Sequence, residues 1–443
     1  MRPELSSGHL CWDGCRLGDL AERFGTPLHV FSVGALRDSV NRFLRPFRAE
    51  KLPVRLYYSV KTNPVPEFLS QLHRLGVDVS VVSQYELWLV GRLGFPRIVV
   101  NGPAQSVDMH HQALRSRVDM FVVESQTGLD RALALGPELN VGVRVRPDLA
   151  RTAPRTSSGS RTSPYGFSPR DATEAALRLK GRGCFSGLHT HIGTGIVRPG
   201  PYRKALRALE WVLRRLQRSD VRCRLLDIGG GFGVPTAPLM SGAGIVLSLA
   251  GLSGGSPEAA PPTNDGLLVS VARALSGMMA RLTHIQCDPQ ILALEPGRSI
   301  SGPTQLVLLT VLDIVEAHGR RILICDGGGM SLSPMLLMER HAVFPTAPRS
   351  GRVKECTVLG NLPSSLDRVS AAARLPPVHI GDRLAVLDTG AYFASMSTQF
   401  AGPRPALVMV DGAAAVLVRR RETYQDLIQR DTMSEDTHEA THQ

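Results

Sequence analysis

The chain has 443 residues, 43% of them apolar and 20% charged, which fits a globular protein with ample core. Its net charge of +12 is almost all arginine, and with 5% aromatics and no basic run interleaved with them, a nucleic-acid surface is not expected. No apolar run of about 18 residues, no signal-like N-terminus and seven dispersed cysteines without CxxC argue against a membrane span, a disulfide scaffold or a zinc module and predict a cytoplasmic protein.

Short β-branched runs recur in chain order: VRLYYSV (54–60), VDVSVVS (77–83), RIVVNGP (97–103), MFVVES (120–125), NVGVRVRP (140–147), FSGLHTHIG (185–193), RLLDIGGG (224–231) and ILALEPGR (291–298). Helix-compatible segments lie between them, at 64–75, 84–94, 105–117, 126–136, 169–182, 199–219 and 266–283. Eight strands alternating with helices predict an α/β fold, a parallel (β/α)8 TIM-like barrel with reactive groups at the carboxyl ends of its strands. Residues 148–164 are polar and turn-rich and read as a mobile loop on that face, while 234–265 read as an insertion with at most one short helix.

After residue 305 the long helices stop. Runs at 305–315, 320–326, 354–360, 383–390, 406–412 and 414–421 predict a C-terminal antiparallel β domain, to which TPLHVFS (26–32) adds a strand. The predicted organisation is an N-terminal segment (1–35) partly joining the β domain, a barrel (36–304), a β domain (305–422) and a disordered tail (423–443).

Lys61, one of only five lysines, ends the first barrel run. Burial there would desolvate the amine, lower its pKa and make it a nucleophile. The blander reading is a strand-end lysine reaching solvent. His189 and His191 lie two apart, on one face of a strand. As a metal pair they lack an evident third ligand, and no metal is expected; His191 alone suits stacking on a flat ring, with Gly193 and Thr194 approaching a phosphate. The glycines at 229–231 let backbone N–H groups reach a phosphate. They also resemble an adenosylmethionine motif, but they follow six strand–helix units instead of opening the fold, and no acidic residue for a ribose follows at the expected spacing. Glu295 suits a hydrogen bond to a pyridine nitrogen, and Arg298, after the Pro296–Gly297 turn, suits a phosphate. Tyr392 follows a small-residue turn in the second domain, and its phenol can donate to the same phosphate. Each of these residues has an ordinary structural reading on its own; their convergence on strand ends carries the argument.

Taken together, VKTN (60–63), HIGTG (191–195), DIGGGFG (227–233), EPGR (295–298) and GAY (390–392) resemble the fold-type III pyridoxal-phosphate decarboxylases, including the diaminopimelate, ornithine and arginine decarboxylases. The resemblance spans nearly the whole chain. It implies pyridoxal 5'-phosphate as cofactor, an aldimine on Lys61, a quinonoid intermediate, and His191 stacked on the ring. It also implies Glu295 at the pyridine nitrogen, with Gly193, Thr194, Gly230, Gly231, Pro296, Gly297, Arg298 and Tyr392 around the ring and phosphate. Arg144 matches a further arginine near the cofactor. A homodimer with composite sites is implied as well.

The pattern departs at one loop. The family's proton-donating cysteine is replaced in LGNLPSSLDRV (359–369) by Pro363, followed by Ser364, with Asp367 matching a closing aspartate. Proline donates no proton. Ser364 and Asp367 are the candidate substrate residues, with Cys356 and Tyr392 as conceivable proton donors. The segment SPMLLMERH (333–341) replaces a family substrate motif. The expected activity is decarboxylation of an amino acid or a carrier-protein-tethered aminoacyl group. The alternatives are a racemase, an oxidative decarboxylase or a non-catalytic binding paralogue.

Overall fold

The computed structural model describes residues 1–149, 159, 163–249, 265–317 and 319–431. Eight parallel strands close into a barrel: β1 (Val54–Ser59), β2 (Asp78–Val81), β3 (Ile98–Val100), β4 (Met120–Val123), β5 (Val141–Arg144), β6 (Phe185–His189), β7 (Leu225–Asp227) and β8 (Ile291–Leu294). Each pairs with the next, and β8 returns to β1. The barrel interior is packed, not hollow: Tyr57, Val99, Met120, Val122, Leu225 and Ala293 form its inner cluster. Two glycines make room for Met120. A Cβ at Gly142 would sit 2.3 Å from its Sδ, and one at Gly187 would sit 3.0 Å from it and 2.0 Å from the Leu225 carbonyl oxygen.

The seven expected helices appear at Pro66–Arg74, Gln84–Arg92, Val107–Arg115, Gln126–Leu135, Pro169–Gly181, Gly200–Gln217 and Asp265–His284. The second to fifth open on serine caps. Ser83, Ser106, Ser125 and Ser168 accept the N–H of Glu86, Met109, Gly128 and Asp171 at 3.1–3.3 Å. Each cap stabilises its helix by about 1 kcal/mol, and Ser83 and Ser125 do so just after a strand end. A further helix, Val33–Ala49, runs into the barrel from the N-terminal side. Pro46 near its end conceals it in the sequence.

The second sheet has nine strands. In order they are Arg368–Leu375, Lys354–Leu359, Arg320–Cys325, Gln305–Ala317, Leu28–Ser32, Ala406–Asp411 and Ala414–Arg419. Val343–Pro345 pairs with Arg383–Val386, which pairs in turn with Gln305–Ala317. TPLHVFS does supply a strand, at the centre of this sheet. The sheet is mixed rather than wholly antiparallel. Arg320–Cys325 runs parallel to Lys354–Leu359, and Leu28–Ser32 runs parallel to Ala406–Asp411, because each partner returns by a long crossover.

Other elements were not foreseen. RVSAAARL (368–375), whose alanines and arginines favour helix, is an eight-residue strand. A small three-stranded sheet, Glu4–Ser6, His9–Trp12 and Cys15–Arg16, precedes the barrel. The segment expected to be a disordered tail begins with a helix, Tyr424–Ile428. Thr423 and Asp426 close a capping box on it. The short helix of the insertion lies at Gly242–Leu249. Most of the expected mobile loop at 148–164, the rest of the insertion at 250–264 and residues 432–443 lie outside the described residues.

Candidate active site

A cavity of about 370 Å³ opens at the carboxyl ends of the barrel strands. Lys61 lines it from the turn Val60–Thr62 that follows β1. The next residue but one, Asn63, is buried. Its Nδ2 donates to Gln305 Oε1 at 3.2 Å and to the Gly390 carbonyl at 3.3 Å, which docks the turn onto the second domain. The expected desolvation of Lys61 is not seen: its side chain is exposed, because β1 ends before it and the turn carries it into the open mouth.

Glu295 lies just past the end of β8, only 3% exposed. Asn101 Nδ2 donates to its Oε1 at 2.6 Å, and His189 Nε2 lies 3.3 Å from its Oε2. Burial alone would raise its pKa; the adjoining His189 imidazole outweighs that and holds the carboxyl below the usual range. Asp227, fully buried nearby, shows the opposite shift. Burial, then the Glu295 charge, push it well up. Of these two carboxyl groups, the one facing the cavity is the ionised one.

His191 is half-buried, with Nδ1 accepting the Gly230 N–H at 3.3 Å. Burial, then the Lys61 and Arg144 charges, lower its pKa to about 3, so the ring is neutral at physiological pH. The structure also supplies the third partner that the histidine pair lacked, since His189, His191 and Glu295 place one donor atom each within 4.8 Å of one another. Glu295 is already held by Asn101 within that group.

The glycine loop is sterically obligatory. A Cβ at Gly229, Gly230 or Gly231 would sit 2.2, 2.2 or 2.4 Å from the carbonyl oxygens of Thr190, Glu295 and Gly193 respectively. Gly231, at φ 89°, is also in the left-handed region. The buried Tyr202 hydroxyl donates to the Gly230 carbonyl at 2.9 Å and holds the loop from behind. Gly193, Thr194 and Gly231 line the cavity, as do Gly297, Arg298 and Tyr392. Gly230 and Pro296 do not line it; Gly230 positions His191, and the Pro296 carbonyl accepts the Ser59 N–H at 3.2 Å.

Both arginines of the cavity are paired. Arg144 Nη1 contacts Glu124 Oε2, and Arg298 Nη1 contacts Glu339 Oε1. The Arg298 guanidinium also lies 5.0 Å from the Tyr392 ring centre. Tyr392 adopts φ 70°, and its N–H donates to the Thr62 carbonyl at 2.8 Å, so this turn closes the cavity from the second domain.

Ser364, Asp367 and Cys356 are not brought to this cavity. Asp367 is 1% exposed and points inward as a clasp. Its two carboxylate oxygens accept the N–H groups of Met330 and Leu362, both at 2.9 Å, tying the 359–369 loop to the 326–331 turn. Ser364 Oγ accepts the Leu366 N–H at 3.2 Å within that loop. Asp367→Ala orphans two backbone donors and is expected to cost about 1–3 kcal/mol in denaturant unfolding. A loss below a few tenths of that would refute the clasp. Cys356 lies in the β-domain core with its Sγ 3.4 Å from the Ala373 carbonyl; burial pushes its thiol up to about 11, and its distance from the cavity removes it as a proton donor.

The pieces fit a pyridoxal phosphate. An ionised carboxylate waits for a protonated ring nitrogen, and a neutral imidazole for a ring face. The glycine loop has no room for side chains, and the buried Thr62 hydroxyl at the cavity lacks a protein partner. Asn101, Glu124 and Asp227 went unrecognised in the sequence, although all three lie at or just past the carboxyl ends of barrel strands, where site residues are expected. Glu339 carried no such signal.

Comparison with known proteins agrees. Residues 36–302 match the family model "Pyridoxal-dependent decarboxylase, pyridoxal binding domain". Diaminopimelate decarboxylase of Aquifex aeolicus is 28% identical over 438 residues, covering 96% of each chain. That of Actinosynnema pretiosum is 32% identical, covering 96% of this chain and 93% of its own. A crystal structure of the M. jannaschii diaminopimelate decarboxylase with L-lysine superposes with a TM-score of 0.87 at 25% identity, covering 98% of both chains. The chain belongs to the pyridoxal-phosphate-dependent decarboxylases, carboxy-lyases built on a parallel barrel and a second β domain.

Proposed function

We propose that this decarboxylase works in the cavity at the barrel mouth, with Lys61 as the cofactor's covalent anchor, His191 on the ring face and Glu295 at the ring nitrogen. In this reading residues 36–304 hold the cofactor and 305–422 close the site through Tyr392. The observation that carries it is the buried, ionised Glu295, held by Asn101 and His189 at the cavity floor. When bound, the cofactor supplies an electron sink for the pair left on Cα as CO₂ departs. Glu295 keeps a proton on the ring nitrogen, and His191 holds the ring plane without adding charge. Gly193, Thr194, Gly231, Gly297, Arg298 and Tyr392 shape the phosphate end, Gly230 and Pro296 support it from behind the lining, and Arg144 forms the side wall. With Pro363 at the cysteine position and Cys356 in the core, Tyr392 is the candidate to return the proton to Cα.

The substrate is an α-amino acid, free or tethered to a carrier protein; the basic exterior suits an acidic carrier. Pro363 and Leu366 are exposed at the tip of the 359–369 loop, which supports a homodimer in which the loop faces a second copy. Among the described residues no helix is long and apolar enough to cross a membrane. All seven cysteines are unpaired, which supports a cytoplasmic setting. The deciding experiment measures CO₂ release from a panel of free amino acids, diaminopimelate included, and carrier-loaded aminoacyl groups. Release from at least one member is expected. A silent panel with the cofactor visibly bound would rule out this assignment.

A further inference from the structure

A second cavity, of about 190 Å³, lies in the β domain, walled by Arg320–Cys325, Lys354–Leu359, the end of Arg368–Leu375 and the turn at 376–378. It has room for roughly six waters or one small organic molecule. Three of its lining residues are cations, Arg321, Arg352 and Lys354, and none is acidic.

Strand alternation makes this lining unusual. Arg321 shares a face with Leu323 and Cys325, and Lys354 shares one with Cys356 and Val358. Those four neighbours are between 0% and 5% exposed and belong to the apolar core of the β domain. The face that packs the core therefore carries two charges where the core runs out. Register brings them together, since Arg321 stands opposite Cys356 and Lys354 opposite Leu375. Arg321 Nη2 donates to the Val378 carbonyl at 2.6 Å, which fixes its guanidinium in the wall. Its nearest carboxylate, the exposed Glu316, stays 3.9 Å away, too far for a hydrogen bond. Glu355 alternates to the opposite face from Lys354. Arg352 and Lys354 are exposed, and neither forms an ion pair among the described residues.

We propose that this cavity binds a small organic anion: Arg321, Arg352 and Lys354 meet its carboxylate or phosphate group, and Leu323, Leu375 and Val378 meet its apolar body. Both anions suit a planar guanidinium held in place beside two free cations. The site is independent of the cofactor chemistry at the barrel mouth. The strands that wall it carry the 326–331 turn and the 359–369 loop at their other ends, about 17 Å along each strand. A second copy seated against that loop leaves this end open. A rim of merely solvated charges would treat inorganic and organic anions alike, and a merely apolar crevice would ignore charge.

The test separates these cases. Cofactor-loaded protein is titrated by calorimetry with phenyl phosphate, phenylacetate, inorganic phosphate and phenylacetamide, the last two each lacking one half of the proposed ligand. At least one of the first two is expected to saturate with a Kd below about 1 mM, with both controls at least about tenfold weaker. Phenyl phosphate ahead assigns the site to phosphate esters, and phenylacetate ahead assigns it to carboxylates. Arg352→Gln combined with Lys354→Gln is expected to weaken that binding about tenfold or more and to leave the cofactor's visible spectrum unchanged. Both side chains are exposed, so the double variant keeps its fold. Absence of saturable binding by either aromatic anion overturns the proposal, as does inorganic phosphate or phenylacetamide binding as tightly. Unchanged binding in the double variant overturns it as well, because the anion then sits elsewhere.

Discussion

Glu295→Gln is expected to lower kcat by about 10²–10³-fold, comparable to removing one preorganised electrostatic partner from other active sites. The substitution keeps the shape and the Asn101 contact, so the cofactor still docks on the glycine loop and its visible absorbance persists. What disappears is the negative charge that keeps the ring nitrogen protonated. The nearby Asp227 does not replace it, because its own burial pushes its carboxyl well up from the usual range, and it lies beneath the cavity floor rather than on it. Steady-state CO₂ release checks the effect. A kcat within about threefold of wild type would mean that Glu295 only fills space.

Lys61→Ala is expected to be as severe in rate and different in kind. Loss of the amine would remove both the proposed covalent attachment point and a proton carrier, a combined effect of at least about 10²–10⁴-fold. The visible band of the bound cofactor should vanish with it. Thermal unfolding of the cofactor-free protein should hardly move, since the side chain is exposed and such truncations stay within about 0.5 kcal/mol. An unchanged spectrum would transfer the anchor role to another lysine. A large loss of stability would instead assign Lys61 a structural role.

Barrel strands and helices were legible because their signals are local. Short apolar, β-branched runs and the helical segments that alternate with them each lie within the element they specify. The residues proposed here to face the cofactor ring stood out for the same reason, as they fall at or near strand ends. What escaped depends on distance along the chain. Glu339 meets Arg298 across 41 positions and two domains, and no periodicity marks it. Asp367 was read as a substrate residue; only the fold shows that its carboxylate turns inward, where Gly328 and Gly360 leave room for it. A Cβ at either would come within 2.3 Å of an Asp367 oxygen. RVSAAARL was hidden because strand pairing on a half-buried edge overrode a helical composition.

Leu28–Ser32 lies between Gln305–Ala317 and Ala406–Asp411, in the middle of a sheet otherwise made from the last third of the chain. No single cut therefore yields a free-standing barrel and a free-standing sheet. A fragment beginning after residue 35 would lose the strand that joins the two halves of the sheet, and would bare a buried edge on each side. During synthesis this strand must wait until more than 270 later residues have emerged before its first neighbour exists. Completion of the second domain is thus a late, long-range event, slow by the loop-closure rule. Because Tyr392 lines the cavity from that domain, the cavity is finished only when the first and last parts of the chain have met.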